Sequence, residues 1–398
     1  MTRDRHQHAH PAEESAARSV LDAGLGEWLF GSLHRSGQRV KAEQYVRGLL
    51  SVRGRKTLRS IAAQFDGPAA QQNVHHFISA SPWAWMPVRR TLARHALRTQ
   101  APEAWVIRPT LIRKAGTHSV GVDQRSLPRG RTVNGQYAVG TWLVSARSAV
   151  PVDWQLCLSA RWLADPLRQR AGVPADAAAG TVEECVREAV AHLVALGDEV
   201  GRPVVVDVAD VDAVSVARFL SSLGLPFVVR VSPEARLRLD RAVLPRYGDQ
   251  ERAAGELAES LPRLRREVNP GDGPTTAVAI PIAGPPARSD GMLLLGEWST
   301  VGRVRRRLWL TNARAPSLVP ALRLTRLPGV VARDFAAVSE RVGIRDFGGR
   351  SFPGWHRHIT LASVAHLVAA LDARAEPAGV ARAGRDGGGP RTNRTTIR

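Results

Sequence analysis

A cluster of basic residues in the N-terminal part of the chain has a spacing that could hold a phosphate group. Arg53, Arg55, Lys56 and Arg59 precede or begin a short predicted helix, for which Thr57 is a candidate N-cap. The free amides at a helix start and the neighbouring cations both attract phosphate oxygens. The cluster therefore predicts contact with a DNA backbone in a loose helix-turn-helix-like element, and a solvated charged face is the alternative.

Three further groups of basic residues are candidates for DNA contact. One group flanks a Pro-Gly loop, and a second follows a predicted strand on which every second side chain shares a face. The third lies in a helical segment near the C-terminus, where surface or capping roles are the alternative for the histidines. The candidates are Arg125, Arg129 and Arg131 at the loop, Arg305 and Arg307 on the strand, and Arg350, His356, Arg357 and His358 in the helical segment.

The charge of the whole chain points to the same kind of partner. The 398 residues carry a formal net charge of +20, with a sequence pI of about 11.4. Because arginine neutralises phosphates in a salt-dependent way, this excess favours double-stranded DNA. Only three of the basic residues are lysines, so codon usage in a GC-rich genome explains part of the arginine excess.

Other classes of protein are disfavoured by the sequence. No apolar run is long enough to span a membrane, and the polar N-terminus lacks the apolar segment of a secretory signal. We therefore expect a cytoplasmic protein. Cys157 and Cys185 lie far apart without CxxC spacing, so neither a disulfide framework nor a zinc site is predicted.

Hydrophobic periodicity divides the chain into helical and strand-like segments. Helical spacing runs through residues 21–97 and returns from 316 to about 371. Between them, strands are predicted at 104–107, 136–144, 152–158, 203–208 and 227–231, with helices at 181–196 and 215–223. A turn-rich region at 233–315 contains predicted strands at 276–282, 292–298 and 304–311. This order predicts an α/β fold with an N-terminal helical domain and a β-rich insertion.

The segment RSFPGWHRHITL at residues 350–361 is the most distinctive motif of the chain. Further motifs lie at 41–50, 54–57, 75–79, 105–107, 118–122, 154–156, 165–166, 171–174 and 293–298. Taken together and in this order, they resemble the transposases of bacterial insertion sequences of the insertion-sequence-701 type. These are DDE transposases of the RNase H-like superfamily, and the resemblance runs from about Trp28 to Leu371.

The resemblance implies an RNase H-like core with a mixed sheet, and the composition and hydrophobic pattern divide the chain into six parts. They are a disordered N-terminal tail at 1–20, a helical DNA-binding region at 21–100, the first part of the core at 101–232, the β-rich insertion at 233–315, the closing helices of the core at 316–372, and a disordered basic tail at 373–398.

The resemblance also implies a catalytic centre in which three carboxylates hold two Mg²⁺ ions for phosphoryl transfer on DNA. Asp207 matches the second carboxylate and is the predicted catalytic and metal-binding residue; a turn-capping acid at a strand end is the alternative. The first and third positions read Arg108-Pro109 and Ala332. Because one carboxylate cannot hold two Mg²⁺ ions, impaired catalysis is predicted.

Three hypotheses for the function follow from this mismatch. The first is a transposase-like DNA-binding protein with impaired strand transfer, which binds transposon ends. The second is a domesticated, non-enzymatic DNA-binding regulator or inhibitor of transposition. The third is a decayed gene product without a function. A homodimer is a candidate assembly in the first two.

Overall fold

The centre of the fold is one mixed sheet of ten strands with helices packed against it. The computed structural model describes residues 24–65, 67–126, 130–177, 180–197, 201–246, 250–271, 273–283, 291–298, 305–313 and 318–375, with the backbone alone for residues 305, 306, 374 and 375. The predicted α/β class with a mixed sheet is confirmed. The predicted tail at 1–20 and nearly all of the tail at 373–398 lie outside the described residues.

The strands are short at the middle of the sheet and long at one side of it. In chain order they are β1 (Ala104–Arg113), β2 (Val122–Ser126), β3 (Thr132–Val144), β4 (Ala149–Cys157), β5 (Val204–Val206), β6 (Phe227–Val231), β7 (Arg236–Leu237), β8 (Arg252–Ala253), β9 (Arg266–Val268), β10 (Thr275–Ile282), β11 (Met292–Trp298) and β12 (Arg305–Thr311). The central sheet has the order β2-β3-β1-β5-β6-β12-β11-β10-β9, with β4 paired to β3. Strands β7 and β8 form a separate two-stranded sheet.

Parallel pairing is confined to the middle of the sheet among the described strands. Strand β5 runs parallel to β1 on one side and to β6 on the other. Its three valines are fully buried, as expected for a central strand covered on both faces. The turn-rich region at 233–315 continues the same sheet, because β12 pairs antiparallel with β6 and is followed by β11, β10 and β9.

Helices precede, interrupt and follow the strands. They are α1 (Gly26–Phe30), α2 (Ser36–Ser51), α3 (Leu58–Ala62), α4 (Ala70–Ser79), α5 (Trp85–Thr99), α6 (Ala160–Leu163), α7 (Leu167–Ala171), α8 (Val182–Leu196), α9 (Ala213–Ser222), α10 (Ala254–Ser260), α11 (Leu318–Leu324), α12 (Leu327–Asp334) and α13 (Phe352–Ala375). A π-helical turn, Phe335–Ser339, follows α12. No helix in the described part of the chain is long and apolar enough to cross a membrane.

Local sequence signals explain where two of these helices begin. The Thr57 hydroxyl accepts a hydrogen bond from the Ser60 amide at 3.0 Å, so the predicted cap of α3 is confirmed. At the start of α8, the Thr181 hydroxyl accepts from the Glu184 amide while the Glu184 carboxylate accepts from the Thr181 amide. Such reciprocal pairs satisfy amides that have no partner within the helix.

Helix α13 is buried along almost its whole length, which is unusual for a helix that carries polar residues. From Gly354 to Ala369 every residue is buried. Its polar side chains are bonded to other elements: Tyr45 of α2 lies 2.8 Å from His358 Nδ1, and Trp154 of β4 donates to Ser363 at 3.1 Å. The helix therefore joins the N-terminal helices to the sheet.

A buried ionic network links α5, β4, α8 and α13. Arg89 is 2% exposed and donates to the Asp153 carboxylate and to the Trp154 carbonyl, each at 2.8 Å. It also donates to the Thr360 hydroxyl at 2.8 Å. On the other side of Asp153, His192 Nδ1 lies 2.8 Å from the second carboxylate oxygen. Burial would raise the pKa of Asp153, but His192 and Arg89 together hold it well below its usual range.

The free energy of unfolding is expected to depend on pH through His192. The hydrogen bond to Asp153 raises the pKa of His192 above its ordinary value, although burial opposes this. The stabilisation is therefore complete below about pH 6.5 and is lost as the pH rises through the folded-state pKa. Urea unfolding from pH 5.5 to pH 9 should show this loss, and His192→Gln should reduce it. The exposed His75→Gln is the matched control, and an unchanged pH profile in His192→Gln would contradict the assignment.

Candidate functional site

Three neighbouring parallel strands bring Arg108, Asp207 and Arg230 to one level of the central sheet. The preceding residues are Ile107 of β1, Val206 of β5 and Val229 of β6. Val206 is paired with each of the other two. The Asp207 amide extends the pairing, because it donates to the Ile107 carbonyl at 3.0 Å. Residues in register on parallel strands point to the same face. The strand-end acid therefore lies between two arginines.

A third arginine reaches the same acid from the next strand. On β12, Trp309 is paired with Arg230, and Arg307 lies two residues from Trp309 and so on the same face. Arg307 Nη1 lies 3.2 and 3.3 Å from the two carboxylate oxygens of Asp207. Arg230 Nη1 lies 3.3 Å from Oδ1, and Arg108 Nε lies 3.5 Å from Oδ2. We call these four residues the arginine–aspartate cluster.

The cluster is electrostatically unbalanced. Three guanidinium groups and one carboxylate give a formal charge of +3 − 1 = +2. Burial lowers the pKa of Arg108, the charge of Asp207 opposes this, and Arg307 and Arg230 lower it further. Arginine remains charged at neutral pH nonetheless. The cluster therefore keeps an excess of positive charge at the end of the parallel strands.

The helix expected to carry a third acid contributes no carboxylate to the cluster. Ala332 and Pro328 lie on α12, and the Pro328 carbonyl accepts a hydrogen bond from Arg108 Nη1 at 3.2 Å. The nearby Asp334 is bonded elsewhere, because its carboxylate accepts from the Ala149 amide at 2.7 Å and from Arg333 at 2.8 Å. Asp334 therefore bonds to residues outside the arginine–aspartate cluster.

Comparison with known families identifies the family to which the chain belongs. A family model for DDE superfamily endonucleases matches residues 28–281, which is more than half of the chain. The chain belongs to the DDE superfamily endonuclease family. No curated protein matches the chain at a significant level. DDE enzymes act on DNA and generally use divalent metal ions.

The described residues of this DDE chain do not fit the divalent metal ion of its family. Mg²⁺ takes oxygen ligands, and a two-metal centre needs several carboxylates. The described residues contain no group of three or more His, Cys, Asp or Glu side chains that could hold a metal ion. The one matching acid, Asp207, is already neutralised by three cations that would repel Mg²⁺.

Several predicted DNA-contact residues of this DDE chain have exposed side chains. They are Arg53, Arg55, Arg59, Arg131, Arg307 and Arg350. Arg125 is half-buried, and its guanidinium lies over the Tyr137 ring at 5.5 Å from the ring centre. Arg129 lies outside the described residues, and only the backbone of Arg305 is described. Contact of these residues with DNA stays a prediction.

Four of the predicted DNA contacts are corrected by the structure, because the side chains lie in the interior of the DDE fold. Lys56 is 4% exposed, and its amide donates to the Asp346 carboxylate at 2.8 Å. On α13, Arg357 donates to the Ile78 and Trp83 carbonyls. The side chains of Lys56 and Arg357 are therefore buried, where the sequence predicts contact with DNA.

The two histidines of α13 that are predicted to contact DNA, His356 and His358, are also uncharged at neutral pH. Burial lowers the pKa of His358 to about 4, and it lowers the pKa of His356 well below its ordinary value. His356 stacks on the Trp85 ring with 4.7 Å between ring centres, and Arg89 donates to its Nδ1 at 3.1 Å. A neutral, enclosed imidazole offers no charge to a phosphate. The buried part of the motif, from Gly354 to Leu361, thus serves packing in this chain.

Arg230 is the site residue that the sequence analysis missed. It is the single charged residue of β6, whose other residues are apolar and buried. An isolated arginine within an apolar strand needs a buried anion or an exit to solvent. That signal, next to a strand that ends in Asp207, could have indicated the pairing of the two residues.

Proposed function

We propose that this chain is a transposase-derived DNA-binding protein, of the insertion-sequence-701 type, that has lost metal-dependent strand transfer. The observation that carries the proposal is the binding of the one matching acid, Asp207, by three arginines. A carboxylate in that state is not a ligand for a divalent cation, because three positive charges already surround it. The proposed role of the chain is to bind DNA, as a regulator or an inhibitor of transposition.

The retained DNA binding is supported by the charge and by its distribution. The chain carries +20 overall, and the exposed Arg53, Arg55 and Arg59 surround the first turn of α3. Arginines on such a surface neutralise phosphates and release counterions, which makes binding salt-dependent. The Ser60 side chain and the Thr57 cap fix the start of α3, so these arginines extend from an ordered segment.

The test combines DNA binding and cleavage on the same samples of the full chain. A binding titration across salt uses a duplex from the sequences flanking the gene and a random duplex of equal length, with and without Mg²⁺ or Mn²⁺. We expect binding without nicking in either metal. Metal-dependent nicking would contradict the loss of strand transfer. A DNA affinity no higher than that of a control protein without net charge would contradict DNA binding.

The contribution of the α3 arginines has its own expected result. The logarithm of the DNA-binding constant falls linearly with the logarithm of the salt concentration. Arg53→Gln, Arg55→Gln and Arg59→Gln together should make this negative slope less steep, by up to about 0.9 for each phosphate that the variant no longer neutralises. A matched variant that removes three exposed arginines elsewhere, Arg246→Gln, Arg263→Gln and Arg266→Gln, should change the slope less. Equal effects of the two variants would show that only net charge matters and would contradict a localised contact.

The regulatory role is separable from DNA binding. Co-expression with an active transposase of the same family should lower the frequency of transposition if this chain occupies the same DNA ends. The triple α3 variant should restore the frequency, because it keeps the fold but weakens the contact with DNA. An unchanged frequency with the unmodified chain would contradict the inhibitory role.

A further inference from the structure

The three arginines of the arginine–aspartate cluster present their charge to solvent while the aspartate does not. The Asp207 side chain is 2% exposed, whereas Arg108, Arg230 and Arg307 are 30%, 35% and 46% exposed. A ligand that approaches this end of the strands therefore meets guanidinium groups and not the carboxylate. The surface of the cluster is cationic, and its counter-ion lies behind it.

The contacts with Asp207 leave hydrogen-bond donors free. Each guanidinium has five N–H groups. Arg230 and Arg307 use only Nη1 towards Asp207, and Arg108 uses Nε, with its Nη1 on the Pro328 carbonyl. Among the described residues, no hydrogen bond involves Nη2 of any of the three. The three side chains therefore retain several donors for a second acceptor.

The contacts are also longer than those of a tight ion pair. The four N–O distances lie between 3.2 and 3.5 Å, whereas charge-assisted N–H···O bonds are about 2.7–2.9 Å. One carboxylate is thus shared loosely among three guanidinium groups. The three guanidinium groups therefore still repel one another. A second anion bound between them would reduce this repulsion.

We propose that Arg108, Arg230 and Arg307 form a metal-independent phosphate-binding site, for which Asp207 is the internal counter-ion. The ligand class is a phosphate oxyanion, which planar guanidinium groups bind through paired N–H groups. A DNA backbone phosphate and a free phosphate both offer this chemistry. The choice of DNA as the source rests on the proposed function, but binding of an oxyanion at the cluster does not.

The cluster could instead be a purely structural set of ion pairs, and the two roles predict opposite effects of one substitution. Asp207→Asn removes the anion that competes with the ligand while keeping the shape of the side chain. A phosphate site should bind its ligand more tightly after this change. A structural set of ion pairs should lose stability without any change in phosphate affinity.

The experiment measures inorganic phosphate binding by calorimetry, with EDTA present so that no metal contributes. We expect Arg230→Gln and Arg307→Gln each to weaken phosphate binding about tenfold and Asp207→Asn to strengthen it. Arg246→Gln, which removes an exposed arginine outside the cluster and outside the predicted DNA contacts, is the control and should have little effect. Thermal unfolding of each variant checks that it folds. If the unmodified chain binds no phosphate in EDTA, the proposal is overturned without use of any variant.

A second arm separates the sources of the phosphate. The same variants are titrated with a short DNA duplex in EDTA. Parallel changes in DNA and phosphate affinity support a backbone phosphate at the cluster. A change confined to inorganic phosphate supports the oxyanion site but assigns it to a free phosphate. Failure of the unmodified chain to bind any duplex would contradict the proposed function while leaving the oxyanion site supported by its own measurement.

Discussion

Arg89→Met is expected to lower the free energy of unfolding by about 3–5 kcal/mol, the usual cost of removing one partner of a buried ion pair. Arg89 is 2% exposed and bonds to Asp153, Trp154 and Thr360. Without it, the buried Asp153 keeps only its contacts with His192 and Gln155. Methionine fills a similar volume but offers no donor, so the loss of stability reports the ionic contacts.

Equilibrium unfolding in urea measures this loss, and two further variants make it specific. Arg90→Met alters the next residue of the same helix, which is exposed, and should change stability by about 0.5 kcal/mol or less. Combining Arg89→Met with Asp153→Leu removes both charges and should recover part of the loss. A loss below about 1 kcal/mol in Arg89→Met would contradict a stabilising role for the network.

The second large effect concerns Arg108 and Ala332, the two positions at which the resemblance predicts carboxylates. Arg108→Asp with Ala332→Glu should leave the chain without Mg²⁺-dependent nicking while Arg230 and Arg307 remain. Two unit charges 4 Å apart interact by about 1 kcal/mol even in water, so each remaining arginine repels a divalent ion by about 2 kcal/mol at that distance. The acids alone therefore do not create a metal site.

Removing the two remaining cations should reveal this repulsion directly. Adding Arg230→Gln and Arg307→Gln to the double variant should tighten Mn²⁺ binding by up to about 1,000-fold, since about 4 kcal/mol of repulsion is relieved. Metal titrations of the two variants, with nicking of supercoiled plasmid as a second readout, make the comparison. Nicking by the double variant, or equal Mn²⁺ affinity in both, would contradict the electrostatic argument.

The strands can be predicted closely wherever the apolar pattern and the pairing coincide. The pattern predicts a strand at residues 227–231, and β6 has the same bounds. Strand β1 runs to Arg113, far beyond the predicted 107, because its pairing with β3 continues through Arg108 and Pro109. Pairing partners far away in the sequence determine that extension, and no local pattern encodes them.

The candidate site could be predicted in part. Asp207 is singled out by the sequence because it ends a β-branched run and aligns with an acid of the family in the resemblance, whereas Arg230 is missed because its partner is set by sheet order. His356 and His358 were predicted to face DNA because polar residues are usually exposed. They are buried because Arg89 and Tyr45, from distant helices, supply their hydrogen-bond partners.

Because α13 is enclosed, it connects the N-terminal helices with the central sheet. Residues 352–375 bond to α2 through Tyr45, to α4 through the Ile78 carbonyl and to β4 through Trp154. A gene copy cut short before residue 352 would therefore expose the apolar faces of helices that were synthesised first. Such a fragment would retain every basic residue of the α3 region, yet it would be a substrate for proteases and not a smaller DNA-binding protein.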